Sequence, residues 1–186
     1  FGQFPRYQYL AHPRIGEQLR GVIADRGRPN RVRELALDIA IACQTPEVAG
    51  AAADLALDTS ASVDLRAAAA RAVSRAGVLA ESKRLIPLAL SSEEEDKDDD
   101  LKGNALRASW RMMTPAALFA ALTRAKRPNY SGAYDGFLGE LADAIEDEHV
   151  APGLDWIERI GHAASPGEQR LVTALIMRAF RLLDTP

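Results

Sequence analysis

The chain has 186 residues, of which 47% are hydrophobic and 26% charged, and its formal net charge is −3 at pH 7. It contains neither the roughly 20-residue apolar run of a membrane-spanning helix nor the basic-then-apolar pattern of a signal peptide. The single cysteine, Cys43, excludes an internal disulfide and a cysteine-paired zinc site. We therefore expect a cytoplasmic protein with no membrane segment, metal or cofactor.

An aromatic-rich leader, residues 1–12, opens the chain with four aromatic side chains in its first ten residues. Because the first residue is Phe1 rather than methionine, we expect a fragment of a longer chain or a processed product. The leader must bury its rings against another apolar surface. We expect this surface to be the second helix, which is apolar nearly all round and carries Leu37 and Ile41 opposite its main stripe. A preceding segment of a longer protein or a partner could cover the same side.

Beyond the leader, the apolar periodicity and the Gly, Pro and Asn residues that end helices predict only helices. They are expected at about 13–25, 30–43, 46–57, 64–76, 79–90, 99–113, 115–122, 133–146, 153–160 and 166–183. Pro87 should kink or end its helix, because proline has no amide hydrogen to donate. Residues 93–100, the acidic loop, hold seven acids and one lysine. We expect this loop to be solvated, and residues 126–132 to form a linker.

One pattern occurs three times on the predicted helices, at offsets of 33 and 36 residues. It consists of an apolar anchor, a basic residue and an alanine four residues beyond the anchor: Val32, Arg33 and Ala36; Leu65, Arg66 and Ala69; Leu101, Lys102 and Ala105. In the first copy the predicted core stripe is Val32, Leu35, Ala36, Ile39, Ala40 and Cys43. Helical patterns with a period in the 30s are typical of stacked helix pairs, because one pair cannot bury its own apolar face.

This period predicts an all-α fold, specifically a right-handed HEAT-like α-α superhelix, which is a short solenoid of antiparallel helix pairs. Residues 1–12 are expected to pack on the first helices, and residues 13–125 to hold the repeats. Residues 126–186 are expected to form a C-terminal repeat or cap of the same solenoid. The register of the pattern fades after the linker, so this last third is the least defined by the sequence.

The repeat resembles the HEAT repeat of armadillo-like helical proteins. The stretch from Asp99 is similar to the C-terminal helical arm of bacterial NTPases of the NACHT (STAND) class, through the motifs LKGNALRASW, TPAALFAALT and KRPNYSGAYDGFL. The motifs HPRIGEQLR and RVRELALDIAIAC look like the same region, so the resemblance covers about residues 6–160. It implies a sensor or scaffold arm that binds a protein partner, with the nucleotide chemistry in upstream domains. The chain itself has no GxxxxGK[ST] loop to hold phosphates.

Four arginines form the main candidate for binding an anionic partner. Arg71 and Arg75 in the second copy match Arg107 and Arg111 in the third, and each pair is spaced i, i+4 on one flank of its helix. Stacked repeats would bring the four guanidinium groups together, which suits an acidic protein surface, nucleic acid or phosphate. The alternative is a ladder between repeats, in which the arginines pair with local acids such as the acidic loop.

Two smaller groups of residues have a structural and a functional interpretation. Lys126 and Arg127, with the aromatic residues Tyr130, Tyr134 and Phe137, could bind single-stranded nucleic acid by stacking. The aromatic spacing of four and three residues is also that of a buried helical stripe, which we favour.

Glu146 and His149 form one half of the Glu-x-x-His motif of a di-iron bundle. The sequence has no second copy of this motif, so we expect a solvated helix end rather than a metal site.

These features favour a non-enzymatic helical-repeat module that binds a protein partner as a sensor or scaffold. We expect no catalytic residue, because no serine, cysteine or threonine lies in a nucleophile motif. The alternatives are a HEAT-like protein that binds nucleic acid and, less favoured, a small all-α enzyme. The slightly acidic net charge argues weakly against nucleic acid.

Overall fold

The computed structural model describes residues 6–128 and 132–183, and all regular structure in these two ranges is helical. Eleven α-helices lie in them: α1 Ile15–Ala24, α2 Asn30–Cys43, α3 Ala49–Leu57, α4 Val63–Ala76, α5 Leu79–Arg84, α6 Ile86–Leu90, α7 Asp100–Ser109, α8 Pro115–Ala121, α9 Ala133–Asp143, α10 Val150–Ile160 and α11 Pro166–Leu183. Short 3-10 turns cover Tyr7–Leu10, Pro46–Val48, Trp110–Met112 and Asp147–His149. The prediction of an all-α fold is confirmed. In the described part, no helix is long and apolar enough to cross a bilayer.

Local chemistry explains most of the helix ends. Pro87 lies in the first turn of α6 and separates it from α5, as predicted for a residue without an amide hydrogen. Gly77 ends α4 with φ at 66°, a left-handed conformation that costs glycine little. The hydroxyl of Thr114 accepts a hydrogen bond from the Ala117 amide at 3.2 Å and caps α8. α7 ends at Ser109, earlier than predicted, and continues as the 3-10 turn Trp110–Met112.

The helices pack in two rows. In the front row, α2, α4, α7, α9 and α11 each contact the next helix in this order. In the back row, α1 contacts α3, α3 contacts α5, α6 contacts α8, and α8 contacts α10. The two rows are joined by the pairs α1 with α2, α3 with α4, α6 with α7, and α10 with α11. The front row therefore continues past the linker, since α7 packs directly on α9.

The buried positions of the front row repeat beyond the three copies seen in the sequence. The anchors Leu65 and Leu101 are 0% and 2% exposed, and Tyr134, 33 residues after Leu101, is 1% exposed. Gly167, a further 33 residues on, is buried in α11. The register thus persists where the sequence pattern fades. The repeat was not recognisable in the sequence of α9 and α11 because Asp135 and Glu168 occupy the position of the basic residue.

The predicted core stripe of α2 is partly wrong. Leu37, which we placed opposite the core, is 0% exposed, as are its counterparts Ala70 and Leu106. Val32 and Leu35, which we placed in the core, are 39% and 43% exposed. The reason is that no front-row helix precedes α2 in the described chain, so the side of α2 away from α4 meets only the short turn Tyr7–Leu10.

The described part of the leader contacts α2 but does not bury its rings there as expected, because Tyr9 is 74% exposed. The 3-10 turn Tyr7–Leu10 contacts this helix, and the Cys43 thiol donates a hydrogen bond to the Tyr7 carbonyl at 3.2 Å. Residues 1–5 of the leader lie outside the described residues.

Candidate interaction surface

The basic residue of the repeat is buried in every copy. Arg33, Arg66 and Lys102 are 6%, 3% and 3% exposed. The Nε of Arg33 donates to the Ile23 carbonyl at 2.9 Å, and the Nε of Arg66 donates to the Ala56 carbonyl at 3.0 Å. Each acceptor lies in the last turn of the back-row partner, where carbonyls have no helical partner and the helix dipole favours a cation. This position of the repeat therefore stabilises the helix pair and is not available for a ligand.

In the third copy the same position is occupied by Lys102, whose ammonium group donates to the Thr123 hydroxyl at 3.1 Å. Burial lowers the pKa of Lys102, and the nearby carboxylate of Asp99 opposes part of this effect. A buried lysine thus replaces the arginine at the point where the acidic loop lengthens the repeat from 33 to 36 residues.

We expected the acidic loop to be solvated, and this prediction is wrong. Several of its carboxylates form hydrogen bonds or ion pairs with neighbouring helices. Asp96 accepts hydrogen bonds from the Leu101 and Lys102 amides at 3.2 and 3.0 Å, which satisfies the start of α7. Burial raises the pKa of Asp96, although these two hydrogen bonds act against the rise. Glu93 forms a bidentate pair with Arg66, with distances of 2.6 and 2.8 Å. The loop therefore joins α4 to α7.

The far side of the acidic loop is held by the residues that follow α8. The Lys126 amide donates to the Asp99 carboxylate at 2.8 Å, and its ammonium group donates to the Glu93 and Asp96 carbonyls at 2.7 and 2.9 Å. Arg127 pairs with Asp98 at 2.6 Å. Lys126 and Arg127 thus bind the chain's own acidic loop rather than projecting together as a basic patch.

The aromatic residues next to the linker pack in the core, as we favoured. Tyr134 and Phe137 are 1% and 0% exposed, and the Tyr134 hydroxyl donates to the Thr123 carbonyl at 2.6 Å. Tyr130 lies outside the described residues. Stacking of bases on Tyr134 or Phe137 would require these buried rings to leave the core.

Burial also raises the pKa of Tyr134 far above the 10.0 of an exposed tyrosine. The unfolded chain therefore loses this proton at lower pH than the folded chain, so the stability from neutral Tyr134 is complete below pH 10 and is lost as the pH rises further. We expect Tyr134→Phe to lower the free energy of unfolding at pH 7 by about 1 kcal/mol, the value of one hydrogen bond. Urea unfolding from pH 7 to 11 should show a steeper alkaline loss in the unmodified protein than in the variant. Parallel pH profiles would contradict the assignment.

Glu146 and His149 form a capping box at the start of the 3-10 turn Asp147–His149. The Glu146 side chain accepts from the His149 amide, and the Nδ1 of His149 accepts from the Glu146 amide at 3.2 Å. His149 is 7% exposed and its ring lies 6.4 Å from the Phe119 ring, so it is buried rather than solvated. The described residues contain no group of three or more histidine, cysteine or carboxylate side chains placed to hold a metal.

Two of the four candidate arginines form rungs between neighbouring front-row helices. Arg71 pairs with Asp38 of α2 at 2.6 Å, and Arg107 pairs with Glu140 of α9 at 2.9 Å. Arg107 also donates to the Ala133 carbonyl at 3.2 Å. Both acids lie 33 residues from their arginine. The contacts match the ladder interpretation, but with acids of the adjacent helices in place of the acidic loop.

The other two arginines, Arg75 and Arg111, form no ion pair between helices of the described chain. Arg111 was expected four residues along the same helix face as Arg107, but α7 ends at Ser109 and the 3-10 turn rotates Arg111 away. Its guanidinium instead lies 4.5 Å from the centre of the Trp110 ring, a cation-π contact. Arg75 is exposed on α4 and forms no hydrogen bond or ion pair with another residue of the described chain. The predicted cluster of four is therefore not formed.

Three of the four arginines nevertheless line one groove of about 830 Å³ between α4, α7 and the acidic loop. Its charged lining residues are Asp64, Arg71, Arg75, Glu95, Asp96, Lys97, Asp98, Asp100 and Arg107. Three of them, Arg71, Arg107 and Asp96, are held by the contacts described above. The exposed side chains of Arg75, Lys97, Asp64 and Glu95 form no hydrogen bond or ion pair within the described ranges, so both signs of charge are available at the rim.

The sequence analysis did not predict which charged residues of the groove are paired within the chain and which are exposed without a partner among the described residues. The signal that could have found the paired residues is the charge at one repeat position, which reads Asp38, Arg71, Arg107 and Glu140 along α2, α4, α7 and α9. Opposite charges at that position in adjacent repeats indicate ladder pairs. The chain matches no known protein family, no curated protein and no solved structure, so its function is inferred from this geometry.

Proposed function

We propose that the chain is a non-enzymatic helical-repeat module that binds an extended segment of a partner protein in the groove between α4 and α7. The observation that carries the proposal is the rim of the groove, where Arg75 and Lys97 face solvent beside Asp64 and Glu95. A polypeptide of mixed charge can pair with both signs. Arg71, Arg107 and Asp96 already have partners within the chain, so these contacts preorganise the groove before a ligand binds.

The proposal has two further elements, the type of superhelix and the role in a larger protein. The two rows of helices support a HEAT-like superhelix, right-handed as in stacked helix pairs of this type. The ion pairs between residues 33 positions apart on adjacent front-row helices support it as well. The resemblance to the C-terminal arms of NACHT-type NTPases supports a sensor or scaffold role in the cytoplasm, in which upstream domains of a parent protein carry the nucleotide chemistry.

The groove suits a protein better than a nucleic acid. Five carboxylates and four basic side chains line it, so a phosphate backbone would meet net repulsion. An enzyme would need converging titratable groups that remain available for a substrate. In the described groove, Asp96 accepts a hydrogen bond at the start of α7 and Arg107 pairs with Glu140, so these two charged groups are already engaged.

The test is selection of random displayed peptides on the chain, followed by anisotropy measurements on the enriched peptides. We expect the enriched peptides to carry an acidic residue, and Arg75→Glu to weaken their binding by about tenfold, which is about 1.4 kcal/mol. The control is Arg20→Glu, which makes the same charge change at an exposed position of α1 far along the chain from the groove.

Equal weakening by Arg20→Glu would show a nonspecific charge effect and contradict the proposed site. Failure to enrich any peptide would contradict peptide binding itself. Binding of single-stranded DNA that falls steeply with salt would instead favour the nucleic-acid alternative.

A further inference from the structure

The interfaces between front-row helices use corresponding positions in successive repeats. Gly103 of α7 faces the following helix, because a Cβ on it would lie 2.2 Å from the Tyr134 nitrogen. Ala67, its counterpart in α4, also faces the following helix, and its carbonyl accepts from the Asn104 amide group at 3.4 Å. α7 thus has one side toward α4 and another side toward α9.

On α11 the side toward a following helix is exposed and apolar. The counterpart of Gly103 there is Gln169, and the same face continues through Val172, Ile176, Phe180 and Leu183 at spacings of four, four and three residues. Ile176, Phe180 and Leu183 are 39%, 62% and 80% exposed. We name these four apolar residues the tail face. No front-row helix covers it in the described chain.

On α2 the side toward a preceding helix is exposed as well. Val32 is 39% exposed, whereas its counterparts in α4 and α7 are buried. Leu35 is 43% exposed, whereas its counterparts Asn104 in α7 and Phe137 in α9 are 5% and 0% exposed and Ala68 in α4 is half-buried. The turn Tyr7–Leu10 contacts α2 but leaves both side chains accessible. We name Val32 and Leu35 the head face.

We propose that the tail face of one copy binds the head face of a second copy, so that copies associate head to tail. Continuity with the interfaces between front-row helices points to a second copy as the occupant. The tail face is the side that α4 and α7 present to the next helix, and the head face is the side that α7 and α9 present to the previous one. A second copy placed on α11 with its α2 extends an interface that the chain already forms between its own helices. Such an interface is heterologous, because two different surfaces meet.

The test is analytical ultracentrifugation of the full chain up to millimolar concentration. The unmodified chain should self-associate reversibly, while Phe180→Glu on the tail face and Leu35→Glu on the head face should each give only a monomer of 20.1 kDa. Both side chains are exposed, so circular dichroism should show both variants folded. Leu79→Glu, at a 72% exposed residue of α5 outside both faces, is the matched control and should associate like the unmodified chain.

Mixing the two variants gives the decisive result. Each variant keeps one intact face, so the mixture should form a one-to-one dimer and nothing larger. A symmetric dimer through either face alone would not behave in this way. A monomeric unmodified chain, continued association of either variant, or the absence of a dimer in the mixture would each overturn the proposal.

Discussion

Replacing Gly103 by alanine should lower the free energy of unfolding by about 3 kcal/mol, the upper end of what overpacking costs. A Cβ at this position would lie 2.2 Å from the Tyr134 nitrogen and 2.5 Å from the Ala133 carbonyl carbon. Both atoms belong to the backbone, which cannot move aside by a change of rotamer. The two helices α7 and α9 would therefore have to separate, at the point where the front row passes the linker.

The control for this prediction is Gly21→Ala, in the interior of α1. A Cβ at Gly21 would meet nothing within 4 Å, so the substitution should stabilise the protein by about 0.5–1 kcal/mol through helix propensity. Urea unfolding of both variants measures the contrast. Equal effects from the two substitutions would show that α7 and α9 do not approach as closely as described.

Replacing Arg66 by methionine should destabilise the protein by about 3 kcal/mol, as expected when one partner of a buried ion pair is removed. The Arg66 side chain is 4% exposed, bonds to the Ala56 carbonyl and pairs with both oxygens of Glu93. The substitution leaves the carbonyl at the end of α3 without its donor. It also frees the acidic loop from α4. Because Glu93 is 29% exposed and can regain water, we place the effect at the low end of the range.

The matched control is Arg75→Met, which changes an exposed arginine of the same helix, α4. Arg75 is exposed and has no partner among the described residues, so its loss should change the free energy of unfolding by no more than about 0.5 kcal/mol. The double variant Arg66→Met with Glu93→Gln should recover part of the loss, because it removes the unpaired charge. Similar urea midpoints for Arg66→Met and Arg75→Met would rule out the structural role of the repeated basic residue.

The fold class could be predicted from the sequence because it follows from local patterns. Helical periodicity predicted the helices, Pro87 separates α5 from α6, and Gly77 ends α4. The side of α2 that faces the core could not be predicted, because it depends on which neighbours are present. Val32 and Leu35 have the right residue types for the core, but α2 has no preceding front-row helix to bury them.

The candidate site was predicted only in part. The equivalence of Arg71 and Arg107 was visible in the sequence, but their partners lie 33 residues away on other helices. The displacement of Arg111 depends on α7 changing to a 3-10 turn after Ser109, which the sequence did not predict. The acidic loop was predicted to be solvated because a run of acidic residues does not show which amides and cations it contacts. Those partners include residues distant in the sequence, such as Arg66 and Lys126.

The most direct test of the proposed function is to compare Arg71→Met, Arg75→Met and Arg107→Met in two measurements, the urea midpoint and the affinity for a selected peptide. Arg71 and Arg107 form rungs to Asp38 and Glu140, so their loss should lower stability by about 0.2–1 kcal/mol each. Loss of Arg75 should leave stability unchanged and produce the largest fall in peptide affinity. Unchanged peptide binding by Arg75→Met, with strong loss in the other two variants, would contradict the assignment of Arg75 as the binding arginine.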